Sequence, residues 1–284
     1  MKTYAYPSPT GLENTCEHDR AFTLTDLLVV LATLAILAAL ILPVLARSGD
    51  NSMEMLCLNN LRQMGTAQNI YSSENLDYMP WPGWGNSVIA PRGWCYGPYN
   101  GANNPNNPVN LDTRVLTDMA NWPTGRVANL KTGVYWQYLQ NPDVFICPVF
   151  AATVVGTPTW VNFYQKLTSY TMNGASAFYP SPNFLYGFRT CKTSQIWSPL
   201  CIIQWEPNGN NYNDAADYPN AGEGVSTLLH TKSANVLAVG GNANMMTFID
   251  FLGEMNHNAQ NVNTKGKGLL WWNPLQRDGH GRDQ

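Results

Sequence analysis

The residues Arg20-Ala21-Phe22-Thr23-Leu24-Thr25-Asp26 open onto an apolar run from Leu27 to Ala46 that holds one polar residue, Thr33, and one helix breaker, Pro43. No charge falls between Asp26 and Arg47. A run of this length matches the ~20 apolar residues with which an α-helix crosses a bilayer core of ~30 Å. Read alone, it predicts a single membrane span over 22–46. The flanks exclude a secretory signal peptide. Largely polar residues precede the run and a small-Phe junction stands in front of it, the reverse of a basic start followed by a small-x-small cleavage site. An ionised carboxylate at the edge of such a run is costly in lipid unless paired. Asp26 therefore either meets a cation at the same depth or caps the helix, where it suits the positive end of the macrodipole.

Beyond Arg47 the helical pattern continues with a different character. Met53, Cys57, Leu61, Met64 and Tyr71 recur at spacings of three, four and seven, while Asp50, Glu54, Arg62 and Glu74 fall elsewhere. The expected element is one helix with two environments, apolar all round in its first half and amphipathic in its second, ending before Pro80 and Pro82. The segment 81–130 is rich in Gly, Pro, Asn and Trp and carries little periodicity. A helix is expected around Arg126 to Tyr138, a short strand after Asn141 that ends at Pro148, a strand in Ile196–Pro207, and a hairpin in which Asn235–Val239 returns through Gly240-Gly241 to Met245–Phe251.

Composition bounds the function classes. In 284 residues with net charge −3 and only 12% charged side chains there is no basic footprint for nucleic acid. Of six cysteines, Cys16 precedes the apolar run and Cys57, Cys95, Cys147, Cys191 and Cys201 follow it, an odd set with no C-x-x-C and no paired histidine spacing. Cys191 with Cys201 is one short-range pairing, and Cys57 with Cys147 would tie the long helix to the rest; spacing does not choose between connectivities. Glu206, Asp214 and Asp217 are oxygen donors of the kind Ca²⁺ takes, but their spacing is not that of an EF-hand loop, and solvated turn residues are the plainer reading. Trp81, Trp84, Trp94 and Trp122 either pack a loop-rich domain or offer stacking faces to sugar rings. No G-x-S-x-G, P-loop, H-E-x-x-H or strand-associated G-x-G-x-x-G occurs, so the expectation is not an enzyme.

The stretch RAFTLTDLLVVLATLAILAALILPVLA resembles the N-terminal signal of type IV pilins and type II secretion pseudopilins. Phe22 follows the junction, a carboxylate sits four residues after it, and Pro43 lies where pilins often carry a helix-bending proline. Ala21 and Asp26 replace the usual Gly and Glu. The resemblance extends to CLNNLRQMGTAQNIYSSENLDYMPW, to the string Ser169-Tyr170-Thr171-Met172-Asn173, and to the C-terminal GKGLLWWNPLQRDGHGRDQ. A pilin-like subgroup carries His, nine residues, then Asp-Gly; here His230 is followed by Gly240-Gly241, so the aspartate is missing and His230 reads as a hydrogen-bonded structural residue.

The resemblance implies a leader over 1–21, cleavage between Ala21 and Phe22 by a prepilin peptidase that also methylates Phe22, and a head over 47–284 outside the cytoplasm on a single-pass inner-membrane anchor. It implies an α+β pilin-like ladle, a long helix laid on an antiparallel sheet, and assembly into a pilus-like filament or pseudopilus with other pilin-like subunits on an inner-membrane platform. In such filaments Asp26 would meet the Phe22 ammonium of a neighbour, and Pro43 would kink the helix. Pseudopilins often hold Ca²⁺ in a sheet loop, which is what gives Glu206, Asp214 and Asp217 their interest. The alternative is a membrane-anchored carbohydrate-binding or hydrolytic protein.

Overall fold

The computed structural model describes residues 24–83, 91–97, 122–161, 166–178, 189–208, 215–217, 219, 222, 224–227, 229–230, 233–259 and 268–274, with backbone alone at 41–51, 122–125, 161, 178, 189 and 257–259. The chain divides into two units, 1–49 and 50–284. Helix α1 runs Leu24–Glu74. In the first unit its described side chains, Leu24 to Leu40, are all exposed.

The expected ladle with a transmembrane first half is corrected here: among the described residues no helix is long and apolar enough to cross a membrane. A transmembrane helix, and with it single-pass inner-membrane placement, loses its support.

In the second unit α1 is amphipathic. Cys57, Leu61, Met64 and Ala67 are buried in one apolar core with Trp94, Tyr135, Phe145, Met172, Ile203 and Leu237, while Met53 and Tyr71 of the predicted stripe are half-buried. Gly65 marks the closest approach: a Cβ there would lie 3.0 Å from Leu237 Cδ1 and 3.2 Å from the Gly241 backbone. The helix ends where Leu76 and Asp77 turn left-handed, at φ 55° and 71°, and Asp77 N donates back to Ser72 O at 2.8 Å.

The head's sheet has the order β5-β1-β4-β6-β7, from β1 (Thr171–Asn173), β4 (Ile202–Trp205), β5 (Ala216–Asp217), β6 (Ser233–Ala238) and β7 (Ala243–Thr247). A separate pair joins β2 (Ala177–Phe178) to β3 (Arg189–Thr190). The sheet is mixed rather than antiparallel, because β5 pairs with β1 in parallel. The central β4 is buried throughout and has antiparallel neighbours on both sides. The hairpin β6–β7 turns at Gly241, whose φ of 86° a side chain would strain.

Three local expectations change. Trp122–Leu130 (α2) and Trp136–Leu139 (α3) replace one helix, interrupted at Gly133, where a Cβ would fall 2.3 Å from the Cys95 carbonyl. Asn141–Phe150 is not a strand: Pro142–Phe145 is a 3₁₀ turn capped by Asn141 and Pro148–Thr153 (α4) is a helix, each with proline in its first turn. A short helix, α5 (Pro158–Val161), comes next. The returning strand of the hairpin stops at Thr247, whose hydroxyl accepts from Asp250 N at 3.1 Å and so begins α6 (Phe248–Ala259). Near the C-terminus, Leu270, Trp272 and Asn273 are buried; Asn173 Nδ2 donates to both Ile202 O and Leu270 O at 2.9 Å, tying that segment to β4.

Candidate functional site

Four chemically capable side chains converge at one end of β4. Cys57 comes from the buried face of α1, Cys147 from the residue before α4, Glu206 from the residue after β4, and His230 from a turn that bridges to Ser233 at the start of β6. One donor atom from each lies within 4.8 Å of all the others, and all four residues are buried.

The backbone positions them tightly. Glu206 is fully buried; its N donates to Asn235 O at 3.2 Å and its carbonyl accepts from Ser226 N at 2.8 Å. Its carboxylate accepts from Asn235 N at 2.7 Å through Oε2. His230 is fixed by Ser233, whose N and Oγ donate to His230 O at 2.9 and 2.7 Å. His230 Nε2 then lies 3.3 Å from Glu206 Oε1 and 3.2 Å from Oε2, 3.0 Å from Asn235 Nδ2, and 3.5 Å from Cys147 Sγ.

Burial works to lower the His230 pKa, but the hydrogen bond and the negative charge of Glu206, helped by Glu54, outweigh it and hold the imidazole above its ordinary 6.5. The carboxylate and imidazole lie at salt-bridge distance, and when the imidazole is protonated each charge offsets the other's desolvation.

Cys57 and Cys147 are joined in a disulfide that links α1 to the head across 90 residues of sequence. The other pairing open in the sequence is corrected: Cys191 and Cys201 are buried and not joined in a disulfide, and neither is the buried Cys95. Each is held by a different segment. Cys191 is hydrogen-bonded through its backbone to Ser176 and Met79, and Cys201 to Val239. Burial pushes the Cys191 thiol up to about 12 and raises that of Cys95 well above its ordinary value, so both stay protonated and unreactive.

The oxygen set proposed for Ca²⁺ is not assembled among the described residues. Glu206 is committed to His230 and Asn235, Asp217 is buried in β5 beside Asn173 of β1, and Asp214 lies outside the described residues. Ala21 and Phe22 also lie outside them, as does the side chain of Pro43, while Asp26 sits exposed in the first turn of α1. Trp81 and Trp94 are buried, Trp94 stacked on Phe145 at 6.1 Å and donating to Ala215 O at 2.9 Å, so neither offers a face to a sugar. Trp84 and the side chain of Trp122 are outside the described residues.

Glu206, His230 and the cysteines each stand out in the sequence for separate reasons, but nothing there indicates that they meet. Asn235 carries no sequence signal beyond its place in a strand. Comparison of the chain with family models, with curated proteins and with solved structures finds no match.

Proposed function

We propose that the chain is a structural subunit, cut between Ala21 and Phe22 by a prepilin peptidase that also methylates Phe22, and assembled helix to helix with like subunits on an inner-membrane platform into a pilus-like filament or pseudopilus. The observation that carries this reading is the bare apolar surface of α1. Leu24, Leu28, Val29, Leu31, Leu34, Ile36, Leu37 and Leu40 are each more than half exposed. At 100° per residue these positions fall on every side of the helix. A helix apolar all round is stable in water only when other apolar surface covers it, and packing against the same helix of neighbouring subunits supplies that cover. The Cys57–Cys147 disulfide supports a head outside the cytoplasm, where such bonds form and persist. The carbohydrate-binding alternative loses ground with the burial of Trp81 and Trp94.

The test is intact mass of the protein from cells with an active prepilin peptidase. A chain that begins at Phe22 with one added methyl group is expected; a mature chain that keeps residues 1–21 rejects the reading.

A further inference from the structure

The disulfide, the carboxylate and the imidazole form a tighter constellation than an ion pair beside a covalent bond requires. His230 Nε2 has one proton at most, yet four heavy atoms from three other residues crowd within 3.5 Å of it: both Glu206 oxygens, Asn235 Nδ2 and Cys147 Sγ. A single N–H serves one of them well.

A tetrahedral ion serves its ligands together. With Zn–S near 2.3 Å and Zn–N and Zn–O near 2.0–2.1 Å, the edges of a zinc tetrahedron are about 3.5 Å from sulfur to nitrogen and about 3.3 Å from nitrogen to oxygen. The distances from His230 Nε2 are 3.5 Å to Cys147 Sγ and 3.2–3.3 Å to the Glu206 carboxylate. Measured from His230, Cys147 and Glu206 already stand at ligand spacing; Cys57 joins them only when the bond between the two sulfurs is broken and they part. Asn235, whose backbone N–H holds Glu206 Oε2 at 2.7 Å, supplies the outer-shell bond that orients a ligating carboxylate.

We propose that Cys57, Cys147, Glu206 and His230 form a redox-gated site for one Zn²⁺, closed while the two sulfurs are bonded to each other and opened by a dithiol reductant. In the opening step the dithiol attacks the S–S bond, gives up two electrons and becomes a cyclic disulfide, and its two protons pass to the released cysteines. Zn²⁺ then displaces those two thiol protons, and the proton that His230 Nε2 carries when the imidazole is charged, to solution, and is held by two thiolates, the neutral His230 imidazole and the Glu206 carboxylate. The borderline-soft Zn²⁺ suits two sulfurs far better than Ca²⁺ or Mg²⁺ does. The site thus keeps α1 fastened to the head in either state, by a covalent bond when oxidised and by a metal when reduced. This does not depend on the filament reading, since the site lies wholly within the second unit.

The experiment uses the purified full chain, half of it reduced anaerobically with a phosphine and half left oxidised. Each half is titrated with Zn²⁺ against a chromogenic chelator, and the loaded sample is measured by X-ray absorption at the zinc edge. The reduced protein is expected to take one Zn²⁺ per chain with two sulfur and two nitrogen or oxygen neighbours, and to release it when reoxidised with diamide. Glu206→Gln, which keeps the shape and loses the anionic oxygen, should weaken binding at least about tenfold. Equal binding by the oxidised protein, no stoichiometric binding by the reduced protein, or a zinc shell without two sulfurs overturns the proposal. If reduction unfolds the chain, refolding on addition of Zn²⁺ supports it and failure to refold overturns it.

Discussion

At the scale of single residues, two carboxylates make opposite kinds of contribution. Asp26 lies exposed in the first turn of a helix whose apolar surface is bare. In the proposed filament it meets the Phe22 ammonium of a neighbour, so Asp26→Ala should leave the head folded and lower the amount of subunit in sheared filaments several-fold, with Asp26→Glu tolerated. Wild-type levels of the alanine variant in that fraction would leave Asp26 as a helix cap and nothing more. Asp77 acts within the fold. Its carboxylate accepts from Ser194 N at 3.0 Å and from the Thr193 hydroxyl, and hydrogen bonds from Ser194 and then Thr193 hold its pKa below the ordinary 3.8. A depressed carboxylate pKa stabilises the folded chain above the unfolded value and ceases to do so as pH falls through the folded one. Thermal melts of the wild type and Asp77→Asn should therefore differ at neutral pH and converge as pH falls below the ordinary 3.8; a constant gap at all acid pH would show that the hydrogen bonds do not depend on the charge.

At the scale of elements, the second half of α1 is part of the head's core. Cys57, Leu61 and Met64 are fully buried there, and burying side chains of this size is worth roughly 1.5–3 kcal/mol each. A fragment beginning at Asp50 should be soluble and unfold cooperatively, whereas one beginning after Pro82 should expose the face that α1 covers and aggregate or melt without a cooperative transition. Indistinguishable denaturant curves for the two would mean that the helix contributes nothing to the head. The same element explains why Gly65 tolerates so little: the absence of a side chain there lets α1 lie against Leu237 and the Gly241 turn.

At the scale of the whole molecule, the Cys57–Cys147 disulfide ties together distant parts of the chain. Linking residues 90 apart restricts the unfolded chain far more than the folded one, and loss of such a bond costs about 2–5 kcal/mol. Cys57→Ser should lower the melting temperature measurably under non-reducing conditions, and a reducing agent should then shift the variant much less than the wild type. Equal sensitivity of both to reduction would show that the bond does not constrain folding. Because Cys57 is also a donor in the proposed zinc site, the variant should in addition bind the metal more weakly when reduced.

The long amphipathic face of α1, the strand Ile202–Trp205 and the hairpin closing at Gly241 were legible from residue order, because each rests on local periodicity or on turn chemistry that a short window contains. The apolar run before Arg47 was equally legible as a helix, while among the described residues no helix is long and apolar enough to cross a membrane. The strand expected after Asn141 and ending at Pro148 failed because apolar, β-branched residues there compete with two prolines and an asparagine cap, and the turn chemistry won. Glu206, His230 and both cysteines could be named one by one from the sequence. That they meet was decided only by the tertiary structure: their separations of up to 173 positions are closed by the packing of α1 on the sheet and by the antiparallel pairing of β4 with β6. Periodicity reports which face of an element is apolar; only packing decides which faces come together, and so which donors share a site.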